Sequence, residues 1–411
     1  MAPATHEIVV LGANFGGVNV THYLHRQIFP VLKKLDAELK FHVTVVSPNT
    51  HFFFKIAAPR ALTKENAISN DDLFKPLTKA FDQYGESVTF IQGKAVGVNT
   101  DGKRIVEVEL VSGGKQTLNY DTLFITTGTT SASPLWTLHD SHEKTIEAFK
   151  ETQSRLPSSK TVLIAGAGPV GVETAGEVAF AHPNAKITLV AGGDVLEKQK
   201  LAVSIVSKAK KQLADYKVEI ITNVRVKDTK AAESGTTVEL SDGSSKTVDL
   251  FIDARGASTI NNSFLPASWL DETGRVKADK AFKVTGDGKS DVSGIFVLGD
   301  IVAGSLNTAI ELDAQVATAT SHFAVDLAQK LGHKSSSGGL LSFVPGFGSS
   351  GPTIKEFKPM NALVVPIGPN GGVGQIMGFG APSFLVKKGK AEKFLVELAE
   401  PSVNGKKYAQ L

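Results

Sequence analysis

The sequence contains no cysteine. That absence excludes disulfide frameworks, thiolate metal sites and every mechanism that passes through a cysteine thiol. Neither sign of charge is in excess: Lys and Arg total 44 against 41 Asp and Glu, and a formal net charge of +3 is too small to indicate a nucleic-acid binder. No uninterrupted apolar run reaches the length of about 18 residues that a membrane-spanning helix needs. The opening MAPATHEIVV has no basic region followed by an apolar stretch, so neither a signal peptide nor a transit peptide is expected, and Ala2 excludes N-myristoylation. A soluble or peripheral protein is expected.

What is present is long enough, at 411 residues, for two domains or more. Residues 6–11 read as a buried β-branched strand and VNVTHYLHRQIF as a helix, with Gly12, Asn14, Phe15, Gly16 and Gly17 in the turn between them. Strand, glycine turn and helix is the order in which backbone N–H groups approach a pyrophosphate, although Asn14 replaces the usual middle glycine. Asparagine tolerates left-handed backbone angles and could serve there, or the segment is a tight turn with no ligand. A second copy, TVLIAGAGPVGVETAGEVA, has the complete pattern at Gly166, Gly168 and Gly171 after a strand over residues 162–165. Two such units point to two dinucleotides, most economically a flavin and a nicotinamide nucleotide exchanging a hydride.

Residues 120–128 (YDTLFITTG) and 248–256 (VDLFIDARG) are buried strands ending in Thr-Gly and Arg-Gly, and GIFVLGD ends in Gly299-Asp300. With these segments the chain resembles the two-dinucleotide-binding-domain flavoproteins, which include glutathione reductase, type II NADH dehydrogenases and the apoptosis-inducing-factor group. The resemblance implies an α/β fold with two Rossmann-like domains, for FAD and for NADH or NADPH, plus a C-terminal segment completing the flavin and acceptor site. It also implies that Gly12, Asn14, Gly17, Gly128 and Asp300 serve FAD, while Gly166, Gly168, Gly171 and Glu173 serve the nicotinamide nucleotide. The expected divisions are an FAD domain over residues 1–128, a nucleotide domain over 129–254, the returning FAD domain over 255–333 and a C-terminal segment over 334–411, entered through HKSSSGG.

Within that class, disulfide and persulfide reductases need cysteine. Direct transfer to a diffusible acceptor remains, with quinones foremost because they need no protein nucleophile. VVSPNTHFFF and NTAIELDAQVA, the latter carrying Thr308 and Ala309, are similar to segments of type II NADH dehydrogenases beside the flavin. ALVVPIGPNGGVGQIMGFGAPSFLVKKGK, with Gly-Val-Gly-Gln at 372–375 and Lys387, Lys388 and Lys390, resembles the C-terminal segment of the ferroptosis suppressor branch of the apoptosis-inducing-factor group. That branch implies a cytoplasmic protein or one peripheral to a mitochondrial or lipid-droplet membrane, by a route other than myristoylation. The terminal Ala-Gln-Leu is a poor match to a peroxisomal address. The second strand of the FAD unit ends at Ser47, where an acid usually holds the adenine ribose. A small-molecule substrate in biosynthesis, or a redox-sensing or DNA-binding role, are the alternatives to quinone reduction, and oligomeric state is not legible.

The second strand of the nucleotide unit ends at Ala191-Gly192-Gly193, without the acid that selects NADH. Lys198 and Lys200 either reach a 2′-phosphate or belong to a solvated loop. Glu173 positions the nicotinamide or stabilises a helix start. Lys55 and Arg60 lie near the segment expected under the flavin, where a lysine would stabilise negative charge at N1, or else face solvent. Phe343, Phe347, Phe379 and Phe384 line a slot for a flat ring or belong to the core. The lysine-rich SFLVKKGKAEKFLVELAE could rest on anionic lipid. No metal site is expected.

Overall fold

Runs of Val, Ile and Phe buried on both faces build a parallel sheet around the strand Thr5–Leu11. On one side lie Thr122–Ile125 and then Ile295–Val297, on the other Lys40–Ser47 and Val88–Asn99, all parallel. Ile8, Val10, Val43, Val45, Leu123 and Ile125 have no exposed surface. Residues 88–92 pair within this sheet, whereas 93–99 turn away to pair antiparallel with Ile105–Leu110, which in turn pairs with Lys115–Asn119. The computed structural model describes residues 5–100, 102–333 and 351–409. Ala2 and residues 334–350, which include Phe343, Phe347 and the linker, lie outside them.

A second parallel sheet has the order Glu219–Ile221, Lys186–Val190, Thr161–Ala165, Leu250–Asp253. Three antiparallel strands, Val226–Ala232, Gly235–Leu240 and Ser245–Val248, pack on it through Val226, Val238, Leu240 and Val248. The helix Val203–Asp215 buries Ile205, Ala209 and Leu213, spaced by four, and leaves its lysines outside. Between the two sheets the chain crosses twice, side by side, as the antiparallel ribbon Thr129–Ser131 and Ala257–Ile260. The strands Ala362–Pro366, Gly372–Ile376 and Phe379–Gly380 then dock on the helix Pro169–Ala181 at Gly176, where a Cβ would lie 2.6 Å from the Gly368 nitrogen. Among the described residues no helix is long and apolar enough to cross a membrane.

The end of the chain returns to the first helix, Phe15–Tyr23, through a buried histidine. His22 Nε2–H donates to the Val403 carbonyl at 2.6 Å, which leaves Nδ1 to accept from the Tyr84 hydroxyl at 2.7 Å. Acceptance at Nδ1 requires a neutral ring, whereas the Val403 bond alone would favour the protonated one, and burial decides between them. Burial lowers the pKa of His22 to about 4, and that of His25, packed against Tyr84 at a ring separation of 4.0 Å, to about 4 as well. Because the unfolded chain takes up these protons first, the stability they contribute is present above pH 6.5 and is lost as the pH falls toward about 4. Unfolding free energy from urea titrations is therefore expected to fall across that window. His22→Gln, whose amide supplies both a donor and an acceptor but does not titrate, should flatten the slope by up to about 1.4 kcal/mol per pH unit. An unchanged slope would remove His22 from this account.

Candidate functional site

The carboxyl ends of the first sheet's parallel strands open into a cleft of about 460 Å³. This is where ligands bind in open α/β sheets. Its walls are residues 11–16, 46–49, 93–95, 126–130, 298–300 and 307–309, with Lys55 and Ile56 at one side. Gly12 holds φ +96°, and a Cβ on it would lie 2.6 Å from the Thr126 carbonyl oxygen. A Cβ on Gly17 would lie 1.8 Å from the Gly12 carbonyl oxygen, and one on Gly16 2.8 Å from Thr126 Cβ. The three glycines thus let the helix Phe15–Tyr23 begin directly against the strand ends, and its first N–H groups have no side-chain cap.

Asn14 departs from expectation. Its φ is −100°, so its tolerance of left-handed angles is not what the turn uses. Instead its Oδ1 accepts from the Phe53 N–H at 3.1 Å, tying the turn to the strand His51–Phe53. Phe15 packs on Phe52 with ring centres 4.8 Å apart. Ser47 is buried, and its Oγ accepts from the Asn49 N–H at 3.2 Å. Gly128, at φ +61°, has nothing within 4 Å of a would-be Cβ.

The far wall carries two features. Asp300 Oδ2 lies 3.5 Å from Lys55 Nζ, both side chains are partly exposed to the cleft, and Arg275 donates to the Asp300 carbonyl. Gly299, at φ +84°, donates its N–H to Gln315 Oε1 at 2.7 Å. Gln315 is nearly fully buried in the 22-residue helix Ala309–Lys330, and no sequence signal marked it as holding the site. Thr308 caps that helix, its Oγ1 accepting from the Glu311 N–H at 3.2 Å, so a second helix N-terminus with Ala309 at its start opens into the cleft. Two helix N-termini, a lysine, an aspartate and two left-handed glycines open to approach fit an elongated ligand with a central pyrophosphate, as FAD is.

The second turn repeats the first. Gly166 holds φ +103° with a would-be Cβ 2.4 Å from the Ala254 carbonyl oxygen, and a Cβ on Gly171 would stand 1.7 Å from the Gly166 carbonyl oxygen. Gly168, in the position of Asn14, caps the helix Pro169–Ala181 and borders open space. Glu173 is not a first-turn residue, since this helix starts at Pro169. It is buried, and Lys390 Nζ donates to its Oε1 at 2.5 Å. One turn on, Glu177 receives Arg60 Nε at 2.7 Å and Nη2 at 2.9 Å, while Arg60 Nη1 donates to the Glu392 carbonyl at 2.7 Å. The Phe394 ring adjoins both cations, 4.7 Å from the Arg60 guanidinium carbon and 5.8 Å from Lys390 Nζ. Burial pushes both carboxyl pKa values up and the paired cations oppose it.

Neither Glu173 nor Arg60 lines the cleft; they meet in a buried junction of the second nucleotide helix, the short helix Ala58–Ala61 after the strand His51–Phe53, and the C-terminal region. None of residues 351–409 lines the cleft. Phe379 and Phe384 are 79% and 61% exposed, which fits neither a closed aromatic slot nor a core. Ala191 is buried, so the position at that strand end open to a ribose is Gly192. No cluster of metal-ligating side chains occurs among the described residues.

The comparisons agree with this geometry. Residues 6–321 match the family described as pyridine nucleotide-disulphide oxidoreductase. Oxidoreductase ptaL of Pestalotiopsis fici is 32% identical over 95% of this chain and 97% of its own length. Ferroptosis suppressor protein 1 of Mus musculus is 22% identical over 95% of this chain and 93% of its own. The sulfide:quinone oxidoreductase structure from Aquifex aeolicus superposes with a TM-score of 0.68 at 15% identity, covering 98% of this chain and 92% of that one, and shares the fold. The chain accordingly belongs to the pyridine nucleotide-disulphide oxidoreductase family, as an FAD- and NAD(P)H-dependent flavoprotein whose relatives include the ferroptosis suppressor and apoptosis-inducing-factor proteins.

Proposed function

We propose that this flavoprotein oxidises NAD(P)H and passes the electrons to a quinone-type acceptor without a redox thiol. The observation that carries the reading is a complete two-nucleotide architecture in a chain with no cysteine. FAD, when bound, supplies the two-electron carrier between nicotinamide and acceptor. The first turn, Gly12 to Gly17, would receive the pyrophosphate at the uncapped helix start, and Asn14 keeps that turn in place through Phe53. Asp300 would accept from a hydroxyl of the bound flavin nucleotide, and Gly128 and Ser47 line the same cleft. Lys55 and the helix start at Thr308 and Ala309 supply positive potential for charge that develops on the ring. Gly166, Gly168 and Gly171 receive the nicotinamide nucleotide.

Glu173, with Lys390, positions the second unit against the first rather than touching the reacting ring. The domain divisions read from the sequence remain our proposal. A peripheral membrane contact is supported by the exposed Met377, Phe379, Phe384 and Leu385 beside Lys387 and Lys388.

Purified protein is expected to be yellow, to release FAD on denaturation, and to oxidise NADH or NADPH in the presence of a soluble benzoquinone. Protein that takes up no flavin on reconstitution would defeat the proposal. Asp300→Ala should weaken FAD retention by about tenfold, the effect of one lost hydrogen bond to a charged group. Unchanged retention would remove Asp300 from the site.

Glu173→Gln tests the positioning role. It leaves Lys390 buried without its counter-charge, so the junction should loosen. Stopped-flow reduction of the flavin by NAD(P)H is expected to slow by about tenfold, because transfer depends steeply on alignment. Reoxidation of photoreduced protein by benzoquinone should stay near wild type. Equal slowing of both half-reactions, or of neither, would show that the junction does not set the donor geometry.

A further inference from the structure

A selective feature of the second nucleotide site sits on a loop distant in sequence from the glycine turn; its interpretation rests on that turn holding the nicotinamide nucleotide. In dinucleotide units of this topology the end of the second strand faces the adenosine ribose, and its side chains decide between a 2′-hydroxyl and a 2′-phosphate. Here that strand, Lys186–Val190, runs into Ala191, Gly192 and Gly193. Ala191 is buried and Gly192 is exposed. Neither residue offers a side chain to the ribose.

The loop after the strand Glu219–Ile221 supplies one. Asn223, at φ +59°, donates its N–H to the Gly193 carbonyl at 2.9 Å, and Val224 donates to the Ala191 carbonyl at 3.0 Å. The next residue, Arg225, is pinned from the other side: its N–H donates to Ser241 Oγ at 2.9 Å and its carbonyl accepts from the Ser241 N–H at 2.8 Å. The Arg225 side chain then lies across Gly192, where a Cβ would stand 3.1 Å from its Cγ and 3.4 Å from its Nε. A side chain at Gly192 would press on the arginine and push it aside by a few tenths of an ångström.

The chain has seven arginines. Six of them donate through their guanidinium groups to carboxylates, hydroxyls, amides or carbonyls. Among the described residues the Arg225 guanidinium alone makes no such bond and no ion pair. A cation on a rigid backbone, laid over the ribose-facing end of the second strand and left without a protein partner, is arranged for an anion that arrives with the ligand.

We infer that Arg225 binds the 2′-phosphate of NADPH and makes this nucleotide the preferred reductant. A guanidinium matches two oxygens of a phosphate at once, which a single lysine does not. Glu197 folds its carboxylate over the neighbouring Gly193, with Oε2 1.9 Å from a would-be Cβ there. Its charge opposes the phosphate, so it limits the preference without creating it.

The test titrates the FAD-loaded protein calorimetrically with 2′,5′-ADP and with 5′-AMP. Wild type is expected to bind 2′,5′-ADP more tightly. Arg225→Ala should lose about tenfold or more of 2′,5′-ADP affinity while 5′-AMP affinity is retained, and Arg225→Lys should recover part of the loss. Glu197→Gln should raise 2′,5′-ADP affinity. Equal binding of the two nucleotides by wild type, or a preference that survives in Arg225→Ala, overturns the inference even if NADH reduces the flavin. A wild-type protein that binds neither nucleotide and is not reduced by NADH overturns the nucleotide reading of the second turn along with it.

Discussion

The structure depends on one close approach, made twice: a helix that starts against the carbonyl of its own turn. Gly17 on Gly12 and Gly171 on Gly166 leave no volume for a Cβ, with would-be contacts of 1.8 and 1.7 Å. Any side chain at either position would force the helix off the strand ends. The uncapped N–H groups would then no longer face the space over the sheet, and the site would lose its anion-binding end. The cleft, the second nucleotide position and the direction of both helices follow from those two contacts.

A second constraint holds the halves together. Glu173 and Glu177, one turn apart, are buried against Lys390 and Arg60, with the Phe394 ring beside both cations. Buried ion pairs of this kind add little net stability over a well-packed apolar cluster, but losing one partner is costly because the other charge stays behind. Such a junction specifies how three segments meet more than how tightly they do. Gly176, beside it on the same helix, lets the C-terminal sheet approach closely enough for Lys390 to reach Glu173.

The two glycine turns show why some of the site is readable and some is not. Where the demand is steric, only one residue type meets it, and Gly12, Gly17, Gly166 and Gly171 could be read in order along the chain. At the middle position the demand is looser. Gly168 meets it by leaving open space, and Asn14 by a side-chain bond to Phe53 that no local pattern announces. The aspartate and lysine of the far wall, Asp300 and Lys55, were legible through resemblance to other flavoproteins, yet their 3.5 Å approach joins residues 245 positions apart.

The amino-acid sequence by itself determined the fold class, the two dinucleotide units and the exclusion of thiol chemistry. These rest on strand hydrophobicity, glycine sterics and the absence of a residue type, all of which are properties of single positions or short runs. Tertiary structure alone brought Lys390 to Glu173 and Arg60 to Glu177, and set Gln315 on the Gly299 N–H. It also laid Arg225 over Gly192. Each of these is a pairing between elements distant along the chain, and the partner of a charge is set by which surfaces the packed sheets and helices bring within a few ångströms, a quantity that no local run of residues encodes.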